Sequence, residues 1–453
     1  MPVAIYRGPF GKAQAERLLW RAGFGARAGE AETLSKLGLK HAVYSMTRPV
    51  PYQLVGPDPK DERNRALAPV DAVGHDHLSW LDRMVRTTAP SIERMTLIWH
   101  DWFATSNLGV ASQRLMLDQV DMFRGNAFGS FKDLVLNVTK DPAMLVWLNG
   151  NQNIRQKPNE NYARELMEVF TLGANRGAYT ETDVREQARA LTGWQGNVVN
   201  RQSTGFVFNT ARHDVGTKTI FGKTGNYSWE DACQLCLDNP AHPSFFVEKM
   251  WSYFIPTKID SATSTALQER YANRQVKPVV ESILLHPAFY EGPRMTKPPA
   301  VYVTGMMRAQ RQFITGEQWT WLCDGAGQRL YYPPDVSGWD DKRWLDSNTI
   351  RGRWDCVNYA SEGRTVYPGS DEAYAYPAET PEQAVASARA FWLDPNLTSE
   401  SVDALLDLAR AFQPADDTDD TPDWQKRQRA QMRTQRQTML RHLIAVSPDY
   451  QTS

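Results

Sequence analysis

A mainly α-helical fold, one large multi-helix globular domain with long loops and at most a small β-hairpin, is what this 453-residue chain predicts. Three observations carry that expectation. Stretch after stretch places apolar residues at i, i+3 and i+4, the stripe of a half-buried helix. Several of these stretches open on good caps. Strong period-two alternation, the mark of a half-buried strand, is scarce.

Taken in order, the first helix is expected in "AERLLWRAGF" (15–24), followed by a Pro-rich polar loop over 49–73. Helical spacing returns in "IERMTLIWHDWF" (92–103), "SFKDLVLNVT" (130–139) and "NYARELMEVFTLG" (161–173). Thr180 stands three residues before Asp183, close to a capping box, and starts a helix through "DVREQARALTGW". The Asn-, Thr- and Gly-rich stretch 196–226 reads as a loop, in which "GFVFN" and "HDVGTKTIFG" can pair as a hairpin. Helices follow in "FFVEKMWSYFI", "VVESILLHPAFY" and "SVDALLDLARAF", with a connector at 366–381. The expected organisation is a single domain over 1–413, an acidic linker at 414–423, and a basic helix over 424–453, opened by Pro422 and packed on the same domain.

Hydrophobic residues make up 42% of the chain and aromatics 11%, ample for a core. Lys and Arg number 51 against 52 Asp and Glu, a net charge of -1, which argues against a protein built on a nucleic-acid backbone. The basic run of the last helix is offset by the acidic run before it. Four cysteines cannot form a disulfide framework. Cys233 and Cys236 make a C-x-x-C without a second ligand pair, so small buried thiols are expected there. No run of about 18 apolar residues predicts a membrane span. The absence of a visible signal peptide places the chain in the cytoplasm, and a longer N-terminus would open periplasmic residence or export.

The segment "NENYARELMEVFTLG" concentrates charge. At about 100° per residue, Glu160, Arg164, Glu168, Asn161 and Glu165 share one arc of about 140°, opposite Tyr162, Leu166, Met167, Val169 and Phe170. An ordinary solvated face, with Arg164 bridging Glu160 and Glu168, predicts the same partition. Two neighbours favour a site. His100 and Asp101 lie in "LIWHDWFATSN" among aromatics, where a histidine is either a hydrogen-bonded core residue or a ligand. His213, Asp214 and Lys218 lie on a loop with two glycines. "GFGARAG" follows a helix rather than a strand, which removes a phosphate-loop reading, and no H-E-x-x-H, G-x-S-x-G or Walker sequence is present.

Together "LLWRAGFG", "WHDWFATSN", "NENYARELMEVFTLG", "AYTETDVREQARALTGW", "HDVGTKTIFG", "YYPPDVSGWDDKRW" and "SPDYQ" resemble the bacterial domain-of-unknown-function family numbered 1800, from near residue 15 to the last few residues. The resemblance implies a chiefly helical fold, frequent export, and genes often beside that of a sulfatase-like protein. It implies no reaction. The family's His-x-His pattern ends here in Trp102, so a metal site there would lack a ligand.

Two classes of function follow. In the first, an enzyme, Glu165 is the base, His213 the acid or ligand, and Asp214 and Arg164 their companions, with Arg164 pairing an anionic substrate group. Its metal-assisted variant places a divalent metal ion on His100, Glu160 and Glu168 for hydrolysis or oxidation. In the second, a binding or maturation partner for a sulfatase-like protein, "PPDVSGWDDKRW" supplies aromatic anchors. A weaker third, polymer binding, uses Trp339, Trp344 and Trp354.

Overall fold

The structure, a computed structural model, describes residues 2–48, 52–199, 202–361 and 378–453. The molecule is mainly α: 58% helical, with 23 helices and two small two-stranded antiparallel sheets among the described residues. The chain divides into two compact units, Met1–Pro9 with Leu39–Pro293 and Arg329–Asp340, and Phe10–Gly38 with Arg294–Gln328 and Asp341–Ser453.

The first unit is built on an aromatic core. The helix Pro90–Trp102 buries Trp99 and Trp102, and Phe103 follows it. Trp102 packs on Phe131 and Phe246, and Phe246 stacks on Tyr271 at 3.9 Å between centroids. Such rings each bury roughly 150–250 Å², the largest single contributions a core receives. Their polar atoms are satisfied: Trp99 Nε1 donates to the Ala127 carbonyl and Trp102 Nε1 to that of Phe170, both at 3.1 Å.

The cap at Thr180 forms as the spacing predicts. Thr180 Oγ1 accepts from the Asp183 N–H and the Asp183 carboxylate accepts from the Thr180 N–H, starting the helix Glu181–Ala190. The stretch 196–226 is more ordered than a loop with one hairpin. "GFVFN" lies in β2 (Gln202–Phe208), antiparallel to β1 (Trp194–Val199), while "HDVGTKTIFG" supplies β3 (Lys218–Ile220), antiparallel to β4 (Lys223–Gly225). The two segments therefore pair with different strands. β4 is three residues of "KTG", without the apolar alternation that marks a strand in sequence. Residues 52–73 hold only isolated bridges, so that part of the long loop stands. Cys233 and Cys236 are buried thiols, hydrogen-bonded with Thr139 and Gln187, and burial pushes both far above the ordinary thiol range.

The second unit packs the helices Lys12–Arg21, Pro299–Ala309, Gln318–Gly325 and Ser347–Ser361 with those after residue 378. Two helices meet at glycines: a Cβ on Gly352 would stand 2.2 Å from the Gly325 backbone, so only glycine allows that approach. The closing segment is tied in by paired hydrogen bonds between Met295 and Ser453, and by Arg353 donating to Gln451 at 2.7 Å. Pro422 is the cap residue of the long helix Asp423–Val446. Its charge is met inside the unit: Arg429 and Arg433 pair with Asp417, and Arg436 with Glu379. Residues 366–377 of the expected connector lie outside the described residues, and the helix Pro381–Phe391 begins at its end.

Candidate functional site

The charged segment folds as a short α-helix, Asn161–Glu165, that widens into a π-helix over Leu166–Thr171. The Leu172 N–H reaches back five residues to the Met167 carbonyl at 2.8 Å, and Thr171 Oγ1 donates to the Leu166 carbonyl. Such turns are uncommon and recur at functional sites. The last carbonyls of a helix have no partner within it, and the dipole there favours cations. Here three side chains from other helices fill the role. Lys249 Nζ donates to the Val169 carbonyl (3.1 Å), Trp102 Nε1 to Phe170 (3.1 Å), and His242 Nδ1 to Thr171 (2.8 Å).

The four charged residues of the segment have separate fates. Arg164 pairs with Glu160 at 3.2 Å and, bidentately, with Glu181 from the next helix at 2.8 Å to each oxygen. The hydrogen bonds to Glu181 raise its pKa. The expected bridge to Glu168 is not made: Glu168 instead accepts from the Tyr179 hydroxyl at 3.0 Å. Burial, then that bond and the Glu168 charge, push Tyr179 up to about 12. Glu165 is half-buried and accepts no hydrogen bond or ion pair from the described residues. Burial raises its pKa above 4.5, and the charges of Glu168 and Asp335 raise it further against Arg164.

Asp335 arrives on the loop "YYPPDVSGW", whose backbone is held by three side chains of the first unit. The Leu330 N–H donates to His77 Nδ1 (3.0 Å), the Tyr331 N–H to His100 Nε2 (3.2 Å), and the Trp339 N–H to Asp101 Oδ1 (2.8 Å). Tyr331 holds the left-handed conformation, φ 69, with its ring buried between Trp80 and His100. Gly338, at φ 92, is required there, since a Cβ would stand 2.4 Å from Asp101 Oδ1.

His100 is thus a loop anchor. It is fully buried among Trp80, Phe123, Tyr331 and Trp339, and burial lowers its pKa to about 3. Its Nε2 lone pair accepts the Tyr331 amide, which leaves the proton on Nδ1 and no lone pair for a metal. The expected metal set of His100, Glu160 and Glu168 does not assemble, because Glu160 is engaged by Arg164 and Glu168 by Tyr179. Among the described residues, no three His, Cys, Asp or Glu side chains are placed to hold a metal ion.

His213 and Asp214 form a different knot. His213 Nδ1 lies 2.8 Å from the Thr192 carbonyl, and its ring packs on Phe208. Burial pushes Asp214 up, but its bonds from Arg189 (2.7 Å) and the Gly216 N–H outweigh that and hold it low. Lys218 Nζ donates to the Asp214 and Tyr227 carbonyls. Arg164 meets the start of the 181–190 helix through Glu181, and Asp214 meets its end through Arg189. Eight residues of helix separate those ends by about 12 Å.

A second polar cluster joins Asp101, singled out in the sequence beside His100, to Tyr253 and Lys249, which were not, with Arg94 behind them. The Tyr253 hydroxyl donates to Asp101 Oδ2 at 2.7 Å, so both Asp101 oxygens are occupied. Burial raises Asp101 and lowers Arg94 to about 10. Lys249 Nζ lies 4.7 Å above the Trp102 ring, and burial pulls it down to about 8 against the Asp101 charge. The signal for this cluster was a Lys and a Tyr four apart in "FFVEKMWSYFI", one helical turn from each other and so on the same face. Of the tryptophans singled out, Trp344 is buried, Trp339 partly so, and Trp354 is exposed against His442.

No helix is long and apolar enough to cross a membrane among the described residues. No curated protein and no solved structure matches the chain. A family model matches residues 17–452, nearly the whole length, and the chain belongs to that family, described as protein of unknown function (DUF1800).

Proposed function

We propose that the first unit carries an acid–base centre with Glu165 as general base, acting on a neutral substrate. The observation behind this reading is the isolation of Glu165. Its neighbours Glu160 and Glu168 are each satisfied by a donor, while Glu165 has none among the described residues and stands in the field of two further carboxylates. A carboxyl destabilised in its charged form is a stronger proton acceptor, which a base near neutrality needs. Arg164 is taken by two carboxylates, so an anionic substrate finds no free guanidinium there. Tyr179, whose hydroxyl donates to the neighbouring carboxylate Glu168, completes the donor–acceptor pair of the proposed centre.

The test has two parts. Carbodiimide modification mapped by mass spectrometry across pH reads the titration of Glu165, which is expected above 4.5. A panel of chromogenic esters, amides and glycosides then compares wild type with Glu165→Gln. Loss of kcat/KM by about 100-fold or more, with melting unchanged, supports the base role. A Glu165 that titrates in the ordinary range, or a variant that keeps its turnover, overturns it.

A further inference from the structure

We propose that Lys249 is a reactive amine that takes an aldehyde or ketone as an imine, with the Asp101–Tyr253 pair beside it as proton relay. This inference does not rest on Glu165. Lys249 leaves the helix His242–Ser252 one turn before Tyr253 and lies over the rings of Trp102 (4.7 Å) and Phe245 (5.8 Å). An ammonium has three donors. Among the described residues Lys249 uses one, to the Val169 carbonyl, and has no carboxylate within ion-pair distance. Asp101, the acid that acts on it, has both oxygens occupied by Tyr253 and Trp339. The amine is thus desolvated between ring faces and one carbonyl without a paired carboxylate; the desolvation, not these contacts, favours its neutral form, and its fall to about 8 agrees.

Accessibility separates Lys249 from two other desolvated lysines, Lys218, 1% exposed, and Lys297. Lys297 is 3% exposed and closed between Trp20 and Tyr450, whereas Lys249 is partly exposed. Trp102 is buried beneath the amine, and the partly exposed ring of Phe245 suits a carbonyl compound with an apolar or aromatic body.

The chemistry balances without a further reagent. The Lys249 nitrogen attacks the carbonyl carbon, and the C=O π pair moves to oxygen, which takes the Tyr253 hydroxyl proton; the nitrogen's first proton passes to Asp101 and restores that hydroxyl. The carbinolamine oxygen then takes the Tyr253 proton a second time and leaves as water while the nitrogen lone pair forms the C=N bond, and the second N–H proton returns by Asp101 to Tyr253. Amine plus carbonyl gives imine plus water, with no change of oxidation state.

The experiment treats the full chain with pyridoxal at about pH 7.5, traps imines with borohydride, and maps modified lysines by mass spectrometry. An amine at about 8 has far more free base than an ordinary lysine but is intrinsically less nucleophilic, leaving a net advantage of about tenfold. Lys249 is expected to be trapped about tenfold faster than the exposed Lys60, with Lys297 unmodified. Tyr253→Phe, checked for an unchanged melt, should slow trapping at Lys249 and leave Lys60 unaffected. Trapping of Lys249 no faster than of Lys60 overturns the proposal, as does an unchanged rate in a well-folded Tyr253→Phe for the relay.

Discussion

Replacing Glu165 by Gln separates a destabilised base from a member of an ion-pair lattice. Glu165 lies three residues from Glu168 in a helix and in the field of Asp335, with Arg164 opposing. A like-charge pair at helical spacing destabilises by roughly 0.2–0.5 kcal/mol, so the Glu168 charge, the weaker field of Asp335 and partial burial make the charge a net cost of about 0.5 kcal/mol. The sign follows from the raised pKa. A folded-state value above the unfolded 4.5 means that the folded chain holds the proton more tightly. The resulting stability is present below 4.5 and lost as pH rises through the folded value. Glu165→Gln should therefore be more stable than wild type at about pH 7.5, by roughly 1–2 °C in a melt, with the gain fading towards pH 4. Circular dichroism melts of both proteins at the two pH values read this directly. A variant destabilised by more than about 1 kcal/mol at neutral pH would mean that a partner holds the carboxylate, and the reasoning would fail.

Three other substitutions test separate parts of the account. Thr180→Ala removes the side-chain half of a capping box, leaving the backbone bond to Asp183, and should cost about 1 kcal/mol, seen as a lowered melt. His100→Ala opens a cavity among four aromatic rings and orphans the Tyr331 amide, so a loss of about 3 kcal/mol or more is expected in denaturant unfolding, with no change in metal content. Lys249→Met should stabilise in a pH-dependent way. The folded value of about 8 lies below the ordinary 10.5, so the lysine's penalty is full below pH 8 and gone above 10.5. The variant's gain, about 1–3 kcal/mol after the lost bond to Val169, should shrink between those limits, and a flat difference across them would contradict the burial argument.

Much of the helical content was legible because a helix advertises itself locally. Apolar residues at i, i+3 and i+4 in "IERMTLIWHDWF" need a buried face, and the capping box at Thr180 satisfies orphan amides within three residues of itself. The Glu160–Arg164 pair is equally local, one helical turn apart, and it forms. The carboxylate face of 160–168 was visible on the same grounds.

What each carboxylate does was decided at long range. Glu181 competes for Arg164 from 17 positions away, which leaves Glu168 to Tyr179 and Glu165 to nobody among the described residues. His100 carries the same motif whether it binds a metal or a backbone amide, and only the return of Tyr331, 231 positions on, selects the amide. The π-helical turn has no periodic signature of its own, since its cost is met by Trp102, His242 and Lys249 from distant segments. Local spacing settles which residues share a face, because the backbone repeat sets it. Desolvation and pairing settle which of those residues is left reactive, and both depend on what the rest of the chain brings against that face.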